Sequence, residues 1–406
     1  MPPRGSGPSD SLAENYIRVP NARHYHATRQ ALCRNSFTSV EDCPWPTAQL
    51  DAGRALGRAQ LVPVEVDNCP QQEPPAGLID HVWQQKAKLS DIDCDTLDIL
   101  SSIWLEQAKT PDDKAITSID EILKRRGLLP KPGGRCDLGK KYRGGFTSQQ
   151  RRTVSDSIRR LESLRIILRD VEIYDNGRKR RGDLEGRALS LDLSFIRTGV
   201  DGRPEISHFS YNVGSVFSKF LFGQGKQLAW LSAKAVEYDP YHQRVEKRLI
   251  RFLSWHWRIR GRRGDYFRPF TVRALLEAAG IIPHPQRIAR ARARLERALE
   301  TLERDGVIAS YQYIPARVRL PFPDWSLLIE PPESVRKEYH SIGRTRQPSL
   351  GERVHERLKD GSLLPAAEEI DLPPNDLSAI EKGTREVHPN ERPKIRKLLA
   401  LPSATP

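Results

Sequence analysis

The sequence lacks the features that mark membrane proteins, secreted proteins and nucleotide-hydrolysing enzymes. No apolar run in its 406 residues approaches the roughly 18–20 residues of a membrane-spanning helix. The first residues, MPPRGSGPSD, contain no charged-then-apolar signal pattern, so we expect a cytoplasmic protein. There is no G-x-x-x-x-G-K-[ST] loop and no cluster of carboxylates, so we expect neither an enzyme nor a bound cofactor.

Cysteine is scarce and shows no metal-site spacing. No two cysteines form a C-x-x-C pair, and none is spaced from a histidine like a zinc ligand, so a zinc site is not expected. Because the number of cysteines is odd and a chain of this length can bury a core without disulfide bonds, we expect free thiols in a reducing compartment. The five are Cys33, Cys43, Cys69, Cys94 and Cys136.

Positive charge is in excess and concentrated in two blocks. The formal net charge is +14; residues 1–80 carry −2, whereas residues 140–187 and 241–310 carry +7 and +9. Clustered basicity of this kind is typical of proteins that bind polyanions, although an arginine-rich composition alone is an alternative explanation. The segment Arg287–Tyr313 shows the pattern most clearly, with five arginines in its first eleven residues and apolar positions after them.

The N-terminal region, residues 1–87, is predicted to be flexible or weakly ordered, with a short helix near residues 22–32. Repeated proline breaks, as in CPWPTAQLDAG and DNCPQQEPPAG, favour this interpretation. The region also contains His24-Tyr25-His26. A histidine pair of this kind on a strand can hold a metal in nicking endonucleases that use a tyrosine. No strand pattern or partner acid accompanies it here, so we expect exposed histidines and keep a nickase as an alternative.

Residues 88–215 show the order of a winged-helix domain, which is three helices followed by a β-hairpin. Ser90 is typical of a helix start, and either Thr117 or Ser118 can begin the second helix. A third helix is predicted over FTSQQRRTVSDSIRRLESLRIIL, where Val154, Ile158 and Leu161 recur at helical spacing. Asn176-Gly177 then favours a tight hairpin with a basic tip.

The same order is repeated over residues 216–328. A long helix over YHQRVEKRLIRFLSWHWR precedes a short one ending at Gly280 and a third beginning near Arg287, and a strand follows Gly306. Residues 329–348 are polar and predicted to form a linker. The predicted fold is therefore mainly α with small β-hairpins, in the α+β class, with two winged-helix domains and a C-terminal helix-turn-helix bundle.

The third helix of a winged helix enters the major groove of DNA, which admits one α-helix. The polar face of each third helix is thus the candidate reader, and the hairpin tip is a candidate phosphate contact. A solvated cationic face is the alternative for each. The candidates are Gln149, Arg152 and Arg159 on the first helix; Arg178, Lys179, Arg180 and Arg181 on the hairpin; and Arg287, Arg290, Arg294 and Arg297 on the second helix.

The tandem arrangement over about residues 88–325, with YDPYHQRVEKRLIRFLSWHWR leading the second copy, resembles the plasmid-type bacterial replication initiators. The resemblance implies binding of double-stranded DNA at repeated origin sites, repression of the protein's own promoter and no nuclease activity. It also implies recruitment of host replication proteins, for which the N-terminal region is a candidate, and monomer–dimer exchange. No cofactor is implied.

Residues 349–401 resemble the lambda-repressor/Cro helix-turn-helix family. The matching positions are Leu350–Arg353 and Ala367, the turn residues Ile370 and Leu372, and Leu377–Gly383, which ends the recognition helix. Pro365, Leu363 and Pro373-Pro374 depart from the family pattern, so DNA reading and protein binding both stay open for this domain. The match would place on its outer face Asn375, Asp376, Ser378, Ala379 and Lys382.

Three alternative functions remain besides replication initiation. A transcriptional regulator of a mobile element would share every DNA-binding residue. A nicking enzyme would use His24 and His26. An RNA-binding subunit would use WHWRIRGRR, where Trp255 and Trp257 beside arginines could stack on bases, although core packing is the other explanation for these tryptophans.

Overall fold

A computed structural model describes most of the chain. The described residues are 15–41, 43–53, 55–67, 75–135, 141–142, 144–175, 178–198, 204–222, 227–261, 264–314, 320–344, 370, 372–381, 390–391 and 395. The chain divides into two units, Met1–Tyr339 and His340–Pro406, and each is treated by itself. Within the described ranges, no helix has the length and apolar character needed to cross a membrane.

Helices and long strands both contribute to the fold. The helices are α1 (Arg23–Arg34), α2 (Val64–Asp67), α3 (Ala76–Ala87), α4 (Asp91–Gln107), α5 (Ile119–Arg125), α6 (Ser148–Glu162), α7 (Ser215–Ser218), α8 (Lys234–Glu237), α9 (Arg244–Gly261), α10 (Val272–Ala279), α11 (Ile288–Arg304), α12 (Glu333–Arg344) and α13 (Pro374–Glu381). The strands are β1 (Tyr16–Pro20), β2 (Thr38–Val40), β3 (Cys43–Ala52), β4 (Ala55–Leu61), β5 (Ala115–Ser118), β6 (Gly134–Arg135), β7 (Lys141–Tyr142), β8 (Leu164–Asp175), β9 (Arg178–Arg187), β10 (Leu189–Thr198), β11 (Pro204–Val213), β12 (Leu228–Ser232), β13 (Phe270–Thr271), β14 (Ser310–Ile314) and β15 (Ser326–Glu330). The predicted mixed α and β class is confirmed, but the sheets are larger than the small hairpins we expected.

The N-terminal region is folded into the first unit wherever it is described, which corrects the expectation of weak order. The predicted short helix is present as α1, and Tyr25 and Leu32 on it are almost fully buried. The first proline-rich segment, CPWPTAQLDAG, lies along β3, which pairs with β4 in one sheet. Most of the second, residues 68–74, lies outside the described residues. Pro44 and Pro46 do not break this strand, because they lie near the start of β3, where a strand tolerates proline.

We call the first repeat of the helical order module A, which comprises α4, β5, α5, α6, β10 and β11. Ser90 caps α4 in a capping box with Asp93, and Ser118 caps α5 through the backbone N–H of Glu121, as the sequence predicted. Its sheet has the order β10-β11-β5, so the strand between the first two helices pairs with the last strand. The third helix, α6, packs against α4 and α5.

The hairpin predicted at Asn176-Gly177 is present, but its place in the fold differs from our expectation. Strands β8 and β9 pair antiparallel, with Asp175 opposite Arg178, and the two turn residues lie outside the described residues. The pair belongs to a five-stranded sheet, β2-β3-β4-β8-β9, built with N-terminal strands. It is therefore an insertion between α6 and β10, and β10–β11 is the hairpin of module A.

Module B, the second repeat, comprises α9, β13, α10, α11, β14 and β15. Its sheet has the order β13-β15-β14, which repeats the pairing of the first strand with the last. Residues 333–344, predicted to lie in a linker, form α12 instead. Two buried residues, Val335 and Tyr339, lie four residues apart on α12 and join the core of module B. Because the rest of the segment is polar, these two residues alone did not indicate a helix.

A buried ionic network joins the two modules. Asp91, Asp93, Asp95 and Asp98 all lie on α4 and are at most 1% exposed. Each pairs with a cation from another helix, and three of them pair with α9. Buried charges of this kind are tolerated only when they are paired and hydrogen-bonded, so the network fixes α4 against α9. Its cations are Arg29, Arg126, Arg160, Lys247, Arg248 and Arg251.

The cysteines also correct an expectation. Cys33 on α1 and Cys94 on α4 form a disulfide, with their Cα atoms 6.4 Å apart, whereas we expected free thiols throughout. The sequence could not show that α1 packs on α4 and brings these two cysteines together. Cys43 is free and half-buried, and Cys69 and Cys136 lie outside the described residues.

In the second unit, the described residues centre on α13, the predicted recognition helix. Leu377 on α13 is fully buried, as predicted, and Ile370, Leu372 and Ile395 are also buried. The matching segments Leu350–Arg353 and Ala367 lie outside the described residues.

Candidate nucleic-acid interface

Helix α11 of module B carries the clearest candidate interface. Its buried face consists of alanines and leucines, with Leu295, Leu299 and Leu302 fully enclosed. Arg290, Arg294 and Arg297 lie on α11, where at about 100° per residue they fall within an arc of about 60° beside this buried face, and Arg287 lies in the turn directly before the helix. These arginines, all exposed, are Arg287, Arg290, Arg294 and Arg297. We call them the α11 arginine row.

The α11 arginine row carries charge that the protein does not neutralise at close range. None of its four members forms an ion pair with a carboxylate of the described residues. Their charge acts on the carboxyl group of Glu246 on α9. Burial raises the pKa of this group, and the positive charges of Arg294 and Arg297 offset part of that rise. A row of unpaired guanidinium groups on an exposed helix suits an external polyanion.

The other side of α11 is occupied by its own hairpin. The Nε of Arg292 donates to Glu296 at 2.8 Å, and its guanidinium lies 5.3 Å from the ring centre of Trp325. The rings of Tyr313 and Phe322 complete the contact. Arg292, which is not among the candidates from the sequence, thus attaches β14 and the following turn to α11 instead of joining the α11 arginine row.

On α6 of module A, the N-terminal turn is held rigidly. Thr147 and Gln150 form a capping box, and Arg151 makes two hydrogen bonds, of 2.6 and 2.8 Å, to the carboxylate of Asp120 on α5. Gln149 is exposed and Arg152 is half-buried beside this turn. These two predicted residues therefore lie where recognition helices contact bases, at the N-terminal end of the helix.

Arg159, the third predicted residue of α6, lies in a different environment. It is exposed, but it lines a cleft of about 550 Å³ together with His81 of α3, Glu65 of α2 and Glu162. The N-terminal region thus borders the C-terminal half of α6. The structure does not place Arg159 with Gln149, and a duplex would have to approach α6 from its N-terminal end.

The basic hairpin tip lies on the edge strand β9 of the five-stranded sheet. Arg181 is already paired with Glu172 at 3.3 Å and with Asp170 at 3.7 Å. Arg180 is exposed, and Arg178 and Lys179 are placed only by their strand register. The tip is consequently part of a sheet outside module A and not part of that module's hairpin. The residues that join β10 to β11 lie outside the described residues.

In the second unit, α13 begins at Pro374 and exposes Asn375, while Ser378 is half-buried. Lys382 lies outside the described residues. Asp376 is half-buried in the first turn. The described part of this surface is less basic than that of α11.

The residues of the nickase alternative are enclosed in the core. The Nε2–H of His24 donates to the Val216 carbonyl at 2.8 Å, and burial lowers the pKa of His24 to about 4. The hydroxyl of Tyr25 donates to Asp98 at 3.0 Å. His26 stacks on Trp255, with ring centres 4.5 Å apart. Neither the tyrosine nor the histidines can reach a DNA strand in this conformation, and the described residues contain no cluster of three or more metal-ligating side chains.

The aromatic residues of the RNA-binding alternative are also packed against other side chains of the protein. Trp257 is buried in the core of module B, and Trp255 lies half-buried against His26 and His256. The core-packing explanation for these two residues therefore accounts for both.

The comparisons with known proteins give little. No family model matches the chain, and no curated protein matches it. Among solved structures, the chain is similar to a crystal structure of domains 2 and 3 of RctB, obtained with selenomethionine derivatives. The identity is 11%, the match covers 75% of this chain and 98% of the other, and the TM-score is 0.39. A likeness this remote carries no argument about fold or function, so the proposals below rest on the geometry.

Proposed function

We propose that this protein binds double-stranded DNA with sequence preference, using modules A and B as two winged helices. The observation that carries the proposal is the α11 arginine row, an exposed set at the third helix of a module that has no ion-pair partner among the described residues. In both modules the strand after the first helix pairs with the last strand, which is the strand order of a winged helix. The third helix of each module is the natural occupant of a major groove.

The two proposed readers differ in chemistry. The N-terminal end of α6 offers Gln149 and Arg152, whose side chains can each make two hydrogen bonds to one base. The α11 arginine row suits phosphates and guanines. Because the buried network holds α4 against α9, the two readers keep a fixed spacing, which supports a long and asymmetric binding site.

We further propose that the DNA is a replication origin of a plasmid or another mobile element, and that the protein is cytoplasmic and associated with that DNA. The tandem order of two modules in one body supports this role. A transcriptional regulator would use the same residues, and repeats of the bound sequence within an origin, instead of one copy at a promoter, separate the two roles. Host replication proteins as partners and monomer–dimer exchange stay predictions.

The test removes two members of the α11 arginine row. Arg290→Gln/Arg294→Gln should weaken duplex binding and reduce the slope of log affinity against log salt by about 1.8, since each lost phosphate contact contributes about 0.9. The matched control is Arg292→Gln on the same helix, which should leave the slope unchanged because Arg292 contacts Glu296 and the hairpin. Fluorescence anisotropy with a labelled duplex over a salt series measures both. An unchanged slope in the double variant would remove α11 from the interface.

A further inference from the structure

A second concave surface lies between α1, α4, α9 and α10 in the first unit. It is a cleft of about 750 Å³, within the size range of ligand sites. Four arginines line it, against the carboxylates of Asp91 and Glu277. The arginines are Arg34, Arg244, Arg248 and Arg273.

Two of the four arginines form ion pairs with carboxylates of the protein. Arg248 makes two hydrogen bonds, of 3.0 and 2.8 Å, to the carboxylate of Asp91, and it also donates to the backbone carbonyls of Cys33 and Ala279. Arg273 pairs with Asp324 at 2.6 Å. Their charges are therefore balanced, and they shape the wall of the cleft.

The other two arginines form no ion pair within the described part of the chain. Arg34 donates to the backbone carbonyl of Glu277, and Arg244 donates through Nε to the carbonyl of Pro240 at 3.1 Å. Burial, followed by the nearby charge of Arg248, lowers the pKa of Arg34, and the charge of Glu277 offsets only part of this shift.

The backbone at the floor of the cleft is specialised for this arrangement. Gly280 ends α10 in the left-handed region, with φ of 71°. A Cβ at this position would lie 2.3 Å from Nη1 of Arg248, so glycine allows the arginine to pass beside the backbone. Ile281 and Ile282 follow directly, and Ile282 is 90% exposed, which gives the cleft an apolar rim.

We propose that this cleft is a phosphate-binding site, in which Arg34 and Arg244 hold the phosphate group. Guanidinium groups bind phosphate with paired, charge-assisted hydrogen bonds, which suits two arginines without carboxylate partners. The phosphate has two possible sources. It is either a backbone phosphate of bound DNA, since Pro283, which lines the cleft, precedes the α11 arginine row closely in the chain, or the phosphate of a small phosphorylated molecule.

The experiment uses the full-length protein and inorganic pyrophosphate as the probe, measured by isothermal titration calorimetry at low salt. Wild-type protein should bind pyrophosphate, and Arg34→Gln/Arg244→Gln should weaken binding at least about tenfold, a typical effect of losing charge-assisted hydrogen bonds. The control Arg23→Gln/Arg169→Gln removes two exposed, paired charges elsewhere and should keep wild-type binding. No binding by wild-type protein, or equal loss in the control, would overturn the proposal.

Duplex binding by the same variants separates the two sources of phosphate. If Arg34→Gln/Arg244→Gln also loses duplex affinity and pyrophosphate competes with the duplex, the site holds the DNA backbone. If duplex affinity is unchanged while pyrophosphate binding is lost, the ligand is a free phosphorylated molecule. The site does not depend on the proposed DNA function, because the pyrophosphate titration succeeds or fails without DNA.

Discussion

Replacing Asp98 with alanine probes the buried network that joins modules A and B. The Asp98 carboxylate is fully buried and accepts three hydrogen bonds: from Tyr25 at 3.0 Å, from Arg29 at 3.1 Å and from Arg251 at 2.8 Å. Arg251 would keep Asp95 as a partner at 2.7 Å, but Arg29 would lose its ion pair. The substitution therefore leaves a buried, unpaired guanidinium on α1.

The expected loss is about 3–5 kcal/mol in the free energy of unfolding, the usual cost of removing one partner from a buried ion pair. The matched control is Asp51→Ala, which breaks an exposed pair with Arg23 and should cost at most about 1 kcal/mol. Urea denaturation followed by tryptophan fluorescence measures both. Asp98→Ala/Arg29→Ala should be less destabilised than the sum of the single changes, because the stranded cation is gone.

Two outcomes would refute this reasoning. One is a cost for Asp98→Ala no larger than that of Asp51→Ala. The other is strict additivity of the Asp98 and Arg29 changes. Either would mean that the charges are solvated in solution and that the network does not fix α4 against α1 and α9.

Two further predictions concern single residues of the first unit. The pKa of His24 is about 4 in the folded protein against an ordinary 6.5, so the unfolded state binds more protons below pH 6.5 and stability falls as the pH falls towards 4, by about 2 kcal/mol at pH 5. Urea denaturation at pH 7 and pH 5 should show that His24→Gln loses this part of the pH dependence, and an equal dependence in both proteins would contradict it. Gly280→Ala should lower the free energy of unfolding by at least about 1 kcal/mol, because alanine is strained at this positive φ and its Cβ would clash with the Arg248 side chain. Thermal unfolding compared with Gly77→Ala, where a Cβ meets open space, checks this, and equal melting temperatures would contradict it.

Local signals in the sequence predicted the helices well. Ser90, Ser118 and Gly280 end or begin helices where the capping rules place them, and the leucine spacing of α11 predicted its buried face. The hairpin at Asn176-Gly177 was also predicted from local chemistry. These signals depend on residues a few positions apart, which is why the sequence alone shows them.

Long-range pairing could not be predicted in the same way. The register of β4 with β8, and of β5 with β11, joins segments about a hundred residues apart, and no local pattern specifies it. The basic hairpin was consequently assigned to module A. In the candidate interface, helical spacing predicted that Arg290, Arg294 and Arg297 are exposed, and their contact with DNA stays a prediction. The partner of Arg292 and the cleft at Arg34 depend on tertiary contacts, which no local pattern shows.

The central claim is that two fixed modules read one duplex with sequence preference. The most direct test is an unbiased selection of duplex DNA bound by the full-length protein at about 150 mM salt, where weak surface electrostatics are screened. We predict enrichment of a long motif with two different halves at one fixed spacing, because α4 and α9 are held together by the buried network. No enriched motif, together with binding that collapses as salt rises, would contradict the claim and leave a non-specific polyanion binder.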